Sequence, residues 1–244
     1  MQEPLYKSRA LRDLTGPVLR PGGLGLTRES AVKAGLKPGD RVLDVGCGYG
    51  AAAEMLAREF SMCSLGLDRD FELLSSGSDI PAVQATAQTM PFRSASFNAL
   101  FCECVLSLTP DMAATLAEFQ RVLEPGGVLV LCDIYPRETN GSDRMKNIPL
   151  ACGFRKAVAR EEMEALVAGA GFDHLIWEDL SPVLTQLAGQ AVFDHGSLEK
   201  FWAGVFGQDG KTARETCETI KASRPGYFRI IAENNSLRGV EKKI

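Results

Sequence analysis

Three closely spaced glycines follow a short apolar run in the segment LDVGCGYGA, residues 43–51. Gly46, Gly48 and Gly50 allow a tight turn that brings backbone amides at the start of a helix against a ligand. Asp68 follows 22 residues after Gly46, at the end of a second apolar run. An acidic residue there can accept hydrogen bonds from both hydroxyls of a ribose. The spacing therefore predicts a ligand that contains a nucleoside.

The glycine loop alone does not decide the class of that ligand. Gly46, Gly48 and Ala51 also have the spacing of a dinucleotide-binding fingerprint. Asp44 favours a different ligand, because a carboxylate close before the first glycine repels a pyrophosphate and attracts an ammonium or sulfonium group. A nicotinamide-dependent oxidoreductase therefore stays as the less favoured alternative.

A second cluster of reactive residues lies in FCECVLSLTP, residues 101–110. Glu103 ends a predicted strand and is our candidate for contact with a substrate or with the cationic end of the ligand; the alternative is a solvated acid at a helix start. Cys104 and Cys152 could hold a soft metalloid such as arsenite if a third thiolate joined them. Free cysteine more often behaves as a small apolar residue, and the chain has no Cys-x-x-Cys pair, so we predict no metal site.

The elements that position these residues alternate along the chain. Apolar runs predict strands at 41–45, 61–67, 82–87, 97–103, 128–135, 174–180 and 224–234, and helical spacing predicts helices at 51–60, 71–77, 111–123 and 160–172. This alternation is typical of a parallel sheet with helices on both faces. Residues 1–26 read as a flexible lead-in, residues 136–149 as a polar loop, and residues 181–222 as a helical insertion that covers part of the fold.

Composition narrows the class of protein. The 244 residues are 45% hydrophobic, and the net charge of −4 argues against nucleic acid as the main partner. We see neither an apolar signal core at the N-terminus nor a membrane span. Seven cysteines without a disulfide framework fit a reducing, cytoplasmic location. We expect the charged end, with Lys242 and Lys243, to be a solvated tail.

Four segments together resemble one family. They are VLDVGCGYG, GLDRD, ATAQTMPFRSASFNALFCECVLSL and EFQRVLEPGGVLVLCDIY, and they have the order and spacing of class I S-adenosylmethionine-dependent methyltransferases, closest to the small-molecule group called methyltransferase type 11. The resemblance covers about residues 38–180. It implies an α/β, Rossmann-like, seven-stranded sheet that is mostly parallel, with an antiparallel last strand.

The resemblance also implies one domain in four parts and a cofactor. The parts are an N-terminal cap segment at 1–37, a cofactor-binding core at 38–180, the helical insertion at 181–222, and the last strand with its tail at 223–244. The cofactor is S-adenosylmethionine. The positions that match the family's cofactor site are Asp44, Gly46, Cys47, Gly48, Gly50, Asp68, Arg69, Thr86, Ala87, Gln88 and Cys102.

Each match implies a role. Residues 44–50 match the loop around the methionine part and the ribose. Asp68 matches the ribose-binding acid, and Arg69 its neighbour that packs on adenine. Residues 86–88 match the segment beside the adenine edge, although Thr86 stands where many members have Asp. Cys102 lies where a backbone carbonyl receives the methionine ammonium.

The implied activity is methyl transfer to a small-molecule acceptor. Such a displacement needs alignment and exclusion of water, and it needs a base only if the nucleophile carries its proton at neutral pH. We therefore expect catalysis mainly by proximity. Asp133 is a further acid at a strand end, more often a cap than a base. The alternatives are methylation of a thiol-bound metalloid, a non-enzymatic S-adenosylmethionine-binding protein, and the oxidoreductase.

Overall fold

Seven strands form one sheet in the computed structural model, which describes residues 4–138 and 140–235. The strands are β1 Arg41–Val45, β2 Cys63–Asp68, β3 Ala82–Gln84, β4 Phe97–Glu103, β5 Leu123–Pro136, β6 Phe172–Asp179 and β7 Pro225–Asn234. Their order across the sheet is β3-β2-β1-β4-β5-β7-β6. The strands β1 to β5 pair in parallel, and β7 lies antiparallel between β5 and β6. The predicted fold class, including the reversed last strand, is confirmed.

Ten α-helices surround the sheet within the described residues. They are α1 Arg9–Thr15, α2 Gly23–Lys33, α3 Ala51–Phe60, α4 Phe71–Ser75, α5 Met112–Val122, α6 Gly141–Met145, α7 Arg160–Gly169, α8 Ser181–His195, α9 Leu198–Val205 and α10 Gly210–Ser223. Short 3-10 turns lie at Leu5–Lys7, Gly16–Val18, Leu106–Leu108 and Gly153–Lys156. None of these helices is long and apolar enough to cross a membrane.

The observed limits of the strands agree with the predicted limits where the strand is buried along its length. The strands β1 and β4 and the helix α3 have the predicted bounds. β5 begins at Leu123 instead of residue 128, because Leu123 already pairs with Phe97 before the Pro-Gly-Gly segment. β3 has three residues rather than six, since only residues 82–84 pair with β2.

The prediction of a flexible lead-in at residues 1–26 is wrong for the described residues from Pro4 onward. They form α1, two 3-10 turns and the start of α2. The backbone N–H of Leu5 donates to the carbonyl of Ala151 at 2.9 Å, and Leu11 is buried. Gly22 and Gly23, which suggested flexibility, have φ values of 80° and 54° and start α2. Residues 4–37 thus cover the sheet edge where β1 and β4 end.

The predicted insertion is helical, as α8, α9 and α10. It packs with α1 and with the end of β5 into an apolar cluster that includes Trp202 and Tyr227. The predicted loop at 136–149 is partly helical: α6 lies within it, and Met145 and Ile148 are buried. Residue 139 of that loop, residues 1–3 and the predicted tail at 236–244 lie outside the described residues.

Candidate active site

The glycine loop turns at the carboxyl end of β1 and is held by β2. The backbone N–H groups of Gly46 and Cys47 both donate to the carbonyl of Leu67, at 2.7 and 3.1 Å. Gly46 has a φ of 73°, and a Cβ there would lie 2.2 Å from a methyl group of Val105. Both the backbone conformation and the close approach therefore require glycine at this position.

Asp68 ends β2 and fixes the loop from the other side. One carboxylate oxygen accepts from the Gly48 N–H at 2.8 Å, and the other accepts from the Asp70 N–H at 2.9 Å. Burial raises the pKa of Asp68, and these two hydrogen bonds oppose that shift. Each oxygen can accept at least one further hydrogen bond, so the carboxylate can bind both the loop and a ligand.

A cavity of about 180 Å³ opens between this loop and the N-terminal segment. Gly46, Cys47 and Gly48 form one wall, and Asp68 and Arg69 lie at one end. The predicted residues Thr86, Ala87 and Gln88 line the same end. The amide nitrogen of Gln88 is buried and has no hydrogen-bond partner among the described residues. We call this space the cofactor-side cavity, because it contains most of the predicted cofactor positions.

The other end of this cavity has an unusual group of buried charges. Asp44, Arg20 and Glu103 surround a small extension of about 30 Å³. One oxygen of Asp44 and one of Glu103, the atoms Oδ2 and Oε1, have no hydrogen-bond partner within the described part of the chain. Burial, and after it the nearby charge of Glu103, raise the pKa of Asp44 to about 7. Two buried acceptors thus belong to residues that line the same space, which suits a ligand group with several N–H donors.

Glu103 is held by the N-terminal segment. Its other oxygen, Oε2, lies 2.6 Å from Nη2 of Arg20 and accepts a 3.0 Å hydrogen bond from the hydroxyl of Thr27. The side chains of Arg20 and Glu103 are 4% and 3% exposed. Burial raises the pKa of Glu103, while Arg20 and Thr27 lower it. Arg20 also donates to the carbonyl of Gly23 at 3.1 Å, which ties the pair to the first turn of α2.

A second cavity of about 200 Å³ adjoins the first. We call it the apolar cavity. Five residues line both spaces, namely Tyr6, Leu19, Arg20, Cys104 and Leu108. Glu103 does not line the apolar cavity, so the structure brings it to the cofactor side of the junction.

Two predicted positions do not reach these spaces. Cys102 is fully buried in the sheet, and the cavity wall is formed by Glu103 and Cys104 after it. Gly50 caps the start of α3, where a Cβ would meet Ser78. Sequence reasoning also missed Tyr6 and Arg20, which lie in the segment predicted as a lead-in. The signal that could have found Arg20 is a lone arginine just before a Pro-Gly-Gly turn.

The structure brings the two thiols named in the metalloid alternative to one space. Cys104 and Cys152 both line the apolar cavity. Burial raises the pKa of Cys104 to about 12 and that of Cys152 to about 11, so both are neutral thiols at pH 7. The thiolate is the form that binds soft ions. Residues 4–138 and 140–235 include no group of three or more His, Cys, Asp or Glu residues arranged to hold a metal.

Asp133 serves the turn that follows β4. Its carboxylate accepts from the N–H and the hydroxyl of Ser107, at 2.9 and 2.8 Å, and from the N–H of Ile134 at 2.8 Å. Burial raises the pKa of Asp133 to about 6, although these three hydrogen bonds lower it. These contacts are those of the capping role predicted for Asp133.

His195 ends α8 and packs its ring against Phe201.

Comparison with known proteins identifies a matching domain and related sequences. A model of the methyltransferase domain matches residues 43–131. The chain is 30% identical over 160 residues to the uncharacterised methyltransferase YodH of Bacillus subtilis, covering 62% of this chain and 68% of that protein. It is 37% identical over 124 residues to a demethylmenaquinone methyltransferase of a Mycobacterium strain, covering 50% of this chain and 54% of that protein. The chain therefore spans about half the length of that relative.

A solved structure extends the similarity over nearly the whole fold. The cyclopropane synthase MmaA2 from Mycobacterium tuberculosis superposes with a TM-score of 0.73, at 14% identity, over 95% of this chain and 96% of that chain. At this identity the similarity concerns the fold alone. With the domain match and the 30% identity to YodH, of which this match covers 68%, the chain belongs to the class I S-adenosylmethionine-dependent methyltransferases.

Proposed function

We propose that the protein transfers a methyl group from S-adenosylmethionine to a small-molecule acceptor, mainly by holding the two partners in line. One observation carries this proposal. At one end of the cofactor-side cavity lies Asp68, whose carboxylate can accept hydrogen bonds from hydroxyl groups. At the other end lie Asp44 and Glu103, each with a buried oxygen that has no partner among the described residues. A ligand with a nucleoside at one end and an amino acid at the other matches both ends.

At the nucleoside end, the residues of this chain offer the hydrogen bonds that such a ligand needs. Asp68 would accept from the ribose hydroxyls while it keeps its bonds to the glycine loop. The unpartnered amide of Gln88 would donate to a ring nitrogen of adenine. Arg69 donates to the hydroxyl of Tyr6 at 3.2 Å, so that both side chains form a wall beside the base.

At the amino-acid end, charge complementarity is the main argument. Oδ2 of Asp44 and Oε1 of Glu103 are buried without partners among the described residues, and an ammonium group would satisfy both. Binding a cation would also favour the charged form of Asp44, whose pKa is raised to about 7 by burial. Arg20 would keep Glu103 ionised. In this proposal Glu103 binds the cofactor, and its contact with the acceptor substrate stays a prediction.

The acceptor would reach the junction of the two cavities. When bound, S-adenosylmethionine would supply a methyl group on a positively charged sulfur. A nucleophile can bond to the methyl carbon directly while the sulfur leaves as a neutral thioether. Tyr6, Leu19 and Leu108 line both spaces there and would exclude water from the junction. The carboxylate of Asp133 is occupied by three donors, so alignment is expected to contribute more than proton transfer.

Calorimetry with S-adenosylmethionine and S-adenosylhomocysteine tests the binding step. We expect saturable binding of one molecule of either per chain. Asp68→Asn should weaken it 10- to 100-fold, since a hydrogen bond to a charged group contributes about 1.5–3 kcal/mol. Asp79→Asn is the matched control, because Asp79 is exposed and lies in none of these cavities. The absence of binding to folded wild-type protein would overturn the proposal.

Transfer itself is tested with cofactor carrying a labelled methyl group and a panel of small molecules extracted from cells. We expect label in at least one small molecule, and less of it with Asp68→Asn. Binding without transfer to any member of the panel would instead identify a non-enzymatic S-adenosylmethionine-binding protein.

A further inference from the structure

The apolar cavity lies next to the cofactor-side cavity and is built mostly by parts of the fold added around the sheet. Its walls come from α1, α8, α9 and the 3-10 turn at Gly153–Lys156. The methyltransferase domain model matches residues 43–131, and only Cys104 and Leu108 of the lining residues fall in that range. Most of this cavity is therefore built outside the matched domain.

The lining is almost wholly hydrocarbon. Leucines from α1 and α8 line it together with aromatic rings from α9 and from the turn that follows Cys152; they include Leu11, Leu184, Leu187, Phe154, Phe201 and Trp202. The volume of about 200 Å³ exceeds the ~150 Å³ at which an apolar protein cavity already binds benzene. The space can thus accommodate a molecule somewhat larger than one aromatic ring.

The charged groups at this cavity are already paired. Among the described residues that line it, Arg20 and Asp133 carry charge. Arg20 is bound to Glu103 at 2.6 Å. Asp133 accepts three hydrogen bonds from Ser107 and Ile134. A phosphate, carboxylate or ammonium group placed here would lose its hydration without gaining an opposite charge, which is strongly unfavourable.

The two thiols add no charge either. Cys104 donates its S–H to the hydroxyl of Tyr227 at 3.5 Å, and Cys152 is buried beside Phe154. Neutral thiols behave as small apolar groups in such surroundings. Because sulfur is polarisable, these thiols can pack against apolar ligands of different shapes.

We infer that the apolar cavity is the acceptor site and that it takes an uncharged, largely hydrocarbon molecule, such as a fused aromatic ring or a branched alkyl chain with a neutral nucleophilic group. This inference rests on the proposed function, because the cavity is an acceptor site only if the neighbouring cavity binds the methyl donor. The nucleophilic group would lie where Tyr6, Arg20 and Cys104 separate the two spaces.

The test compares three probes that share one ring system and differ in charge. They are 2-naphthalenemethanol, 2-naphthoate and the 2-naphthylmethylammonium ion, each titrated by calorimetry into protein saturated with S-adenosylhomocysteine. We expect the neutral alcohol to bind at least tenfold more tightly than either charged probe. Equal or tighter binding of a charged probe would overturn the inference.

Matched variants locate the binding. Ala188→Phe would fill part of the cavity, and Gln186→Phe adds the same side chain at an exposed position of the same helix. We expect at least tenfold weaker binding of the alcohol to Ala188→Phe and no change for Gln186→Phe. Unchanged binding to Ala188→Phe would contradict the location. Leu187→Asn, which places an amide in the wall without filling it, serves as a second variant if Ala188→Phe does not fold.

The two proposals fail in different ways. Each variant is also titrated with S-adenosylhomocysteine alone, which should bind all of them within twofold of wild type. If S-adenosylhomocysteine does not bind wild type, the proposed function fails. If it binds but the alcohol does not, the proposed function stands and the acceptor inference fails.

Discussion

The buried pair of Arg20 and Glu103 gives the sharpest prediction about stability. The two charged atoms lie 2.6 Å apart, and both side chains are almost fully buried. At an effective dielectric constant of about 20, their gross attraction is roughly 6 kcal/mol. Dehydration of both groups offsets much of this energy, but removal of one partner leaves an uncompensated buried charge. We therefore expect Arg20→Met to reduce the free energy of unfolding by about 3–5 kcal/mol.

The assay is urea unfolding followed by circular dichroism. Glu103→Gln completes the double-mutant cycle, and the double variant should lose at least about 2 kcal/mol less than the sum of the single losses. Arg28→Met is the matched control, since Arg28 forms an equally direct pair with Glu59, 2.7 Å apart, on the surface. We expect little or no change from that substitution.

The pH dependence of Arg20→Met follows from the same geometry. Burial raises the pKa of Glu103, and loss of Arg20 removes the main group that opposes this shift. In the folded variant Glu103 then keeps a proton that it releases in the unfolded chain. The free energy of unfolding of the variant therefore falls as the pH rises above the ordinary pKa of a glutamate. The loss relative to wild type should be smaller at pH 5 than at pH 8. The reasoning would be refuted if the losses in free energy of unfolding of the two single variants simply added in the double variant and did not vary with pH.

Three further predictions concern the site. Cofactor-product affinity should rise between pH 6 and pH 8 more steeply in wild type than in Asp44→Asn, since burial raises the pKa of Asp44 to about 7 and the ammonium favours its ionised form; equal slopes in calorimetry would contradict this. Asp133→Ala should reduce the free energy of unfolding by about 2–4 kcal/mol, measured with urea, because two donors of Ser107 lose their acceptor. Gly46→Ala should weaken S-adenosylhomocysteine binding more than tenfold, because its Cβ would meet Val105; wild-type affinity would show that the loop adapts.

The sheet and the position of Asp68 beside the glycine loop were predictable because their signals are local. Continuous apolar runs give strands that are buried on both faces, and parallel pairing brings their carboxyl ends to one edge. Asp68 therefore lies beside the glycine loop although 20 residues separate it from Gly48. The glycine spacing and the acid at the end of β2 were enough to identify that edge.

The partner of Glu103 was not predictable in the same way. Arg20 meets Glu103 across 83 residues, and no local pattern records that partnership. The glycines after Arg20 predicted a flexible segment, but glycine is also required where a helix begins with positive φ, as at Gly22. Cys104 has a φ of 61°, so the chain leaves the strand conformation directly after Glu103, where β4 ends.

The docked N-terminal segment has a consequence for the order of events during synthesis on the ribosome. The groups that hold it are the side chain of Glu103, the backbone carbonyl of Ala151 and the residues of α9, and they are made between about 80 and 200 residues later than the segment itself. Closing such long loops loses chain entropy before the contacts compensate for it. This segment thus leaves the ribosome well before the groups that hold it, and the apolar cavity acquires its outer wall only when the insertion has been made.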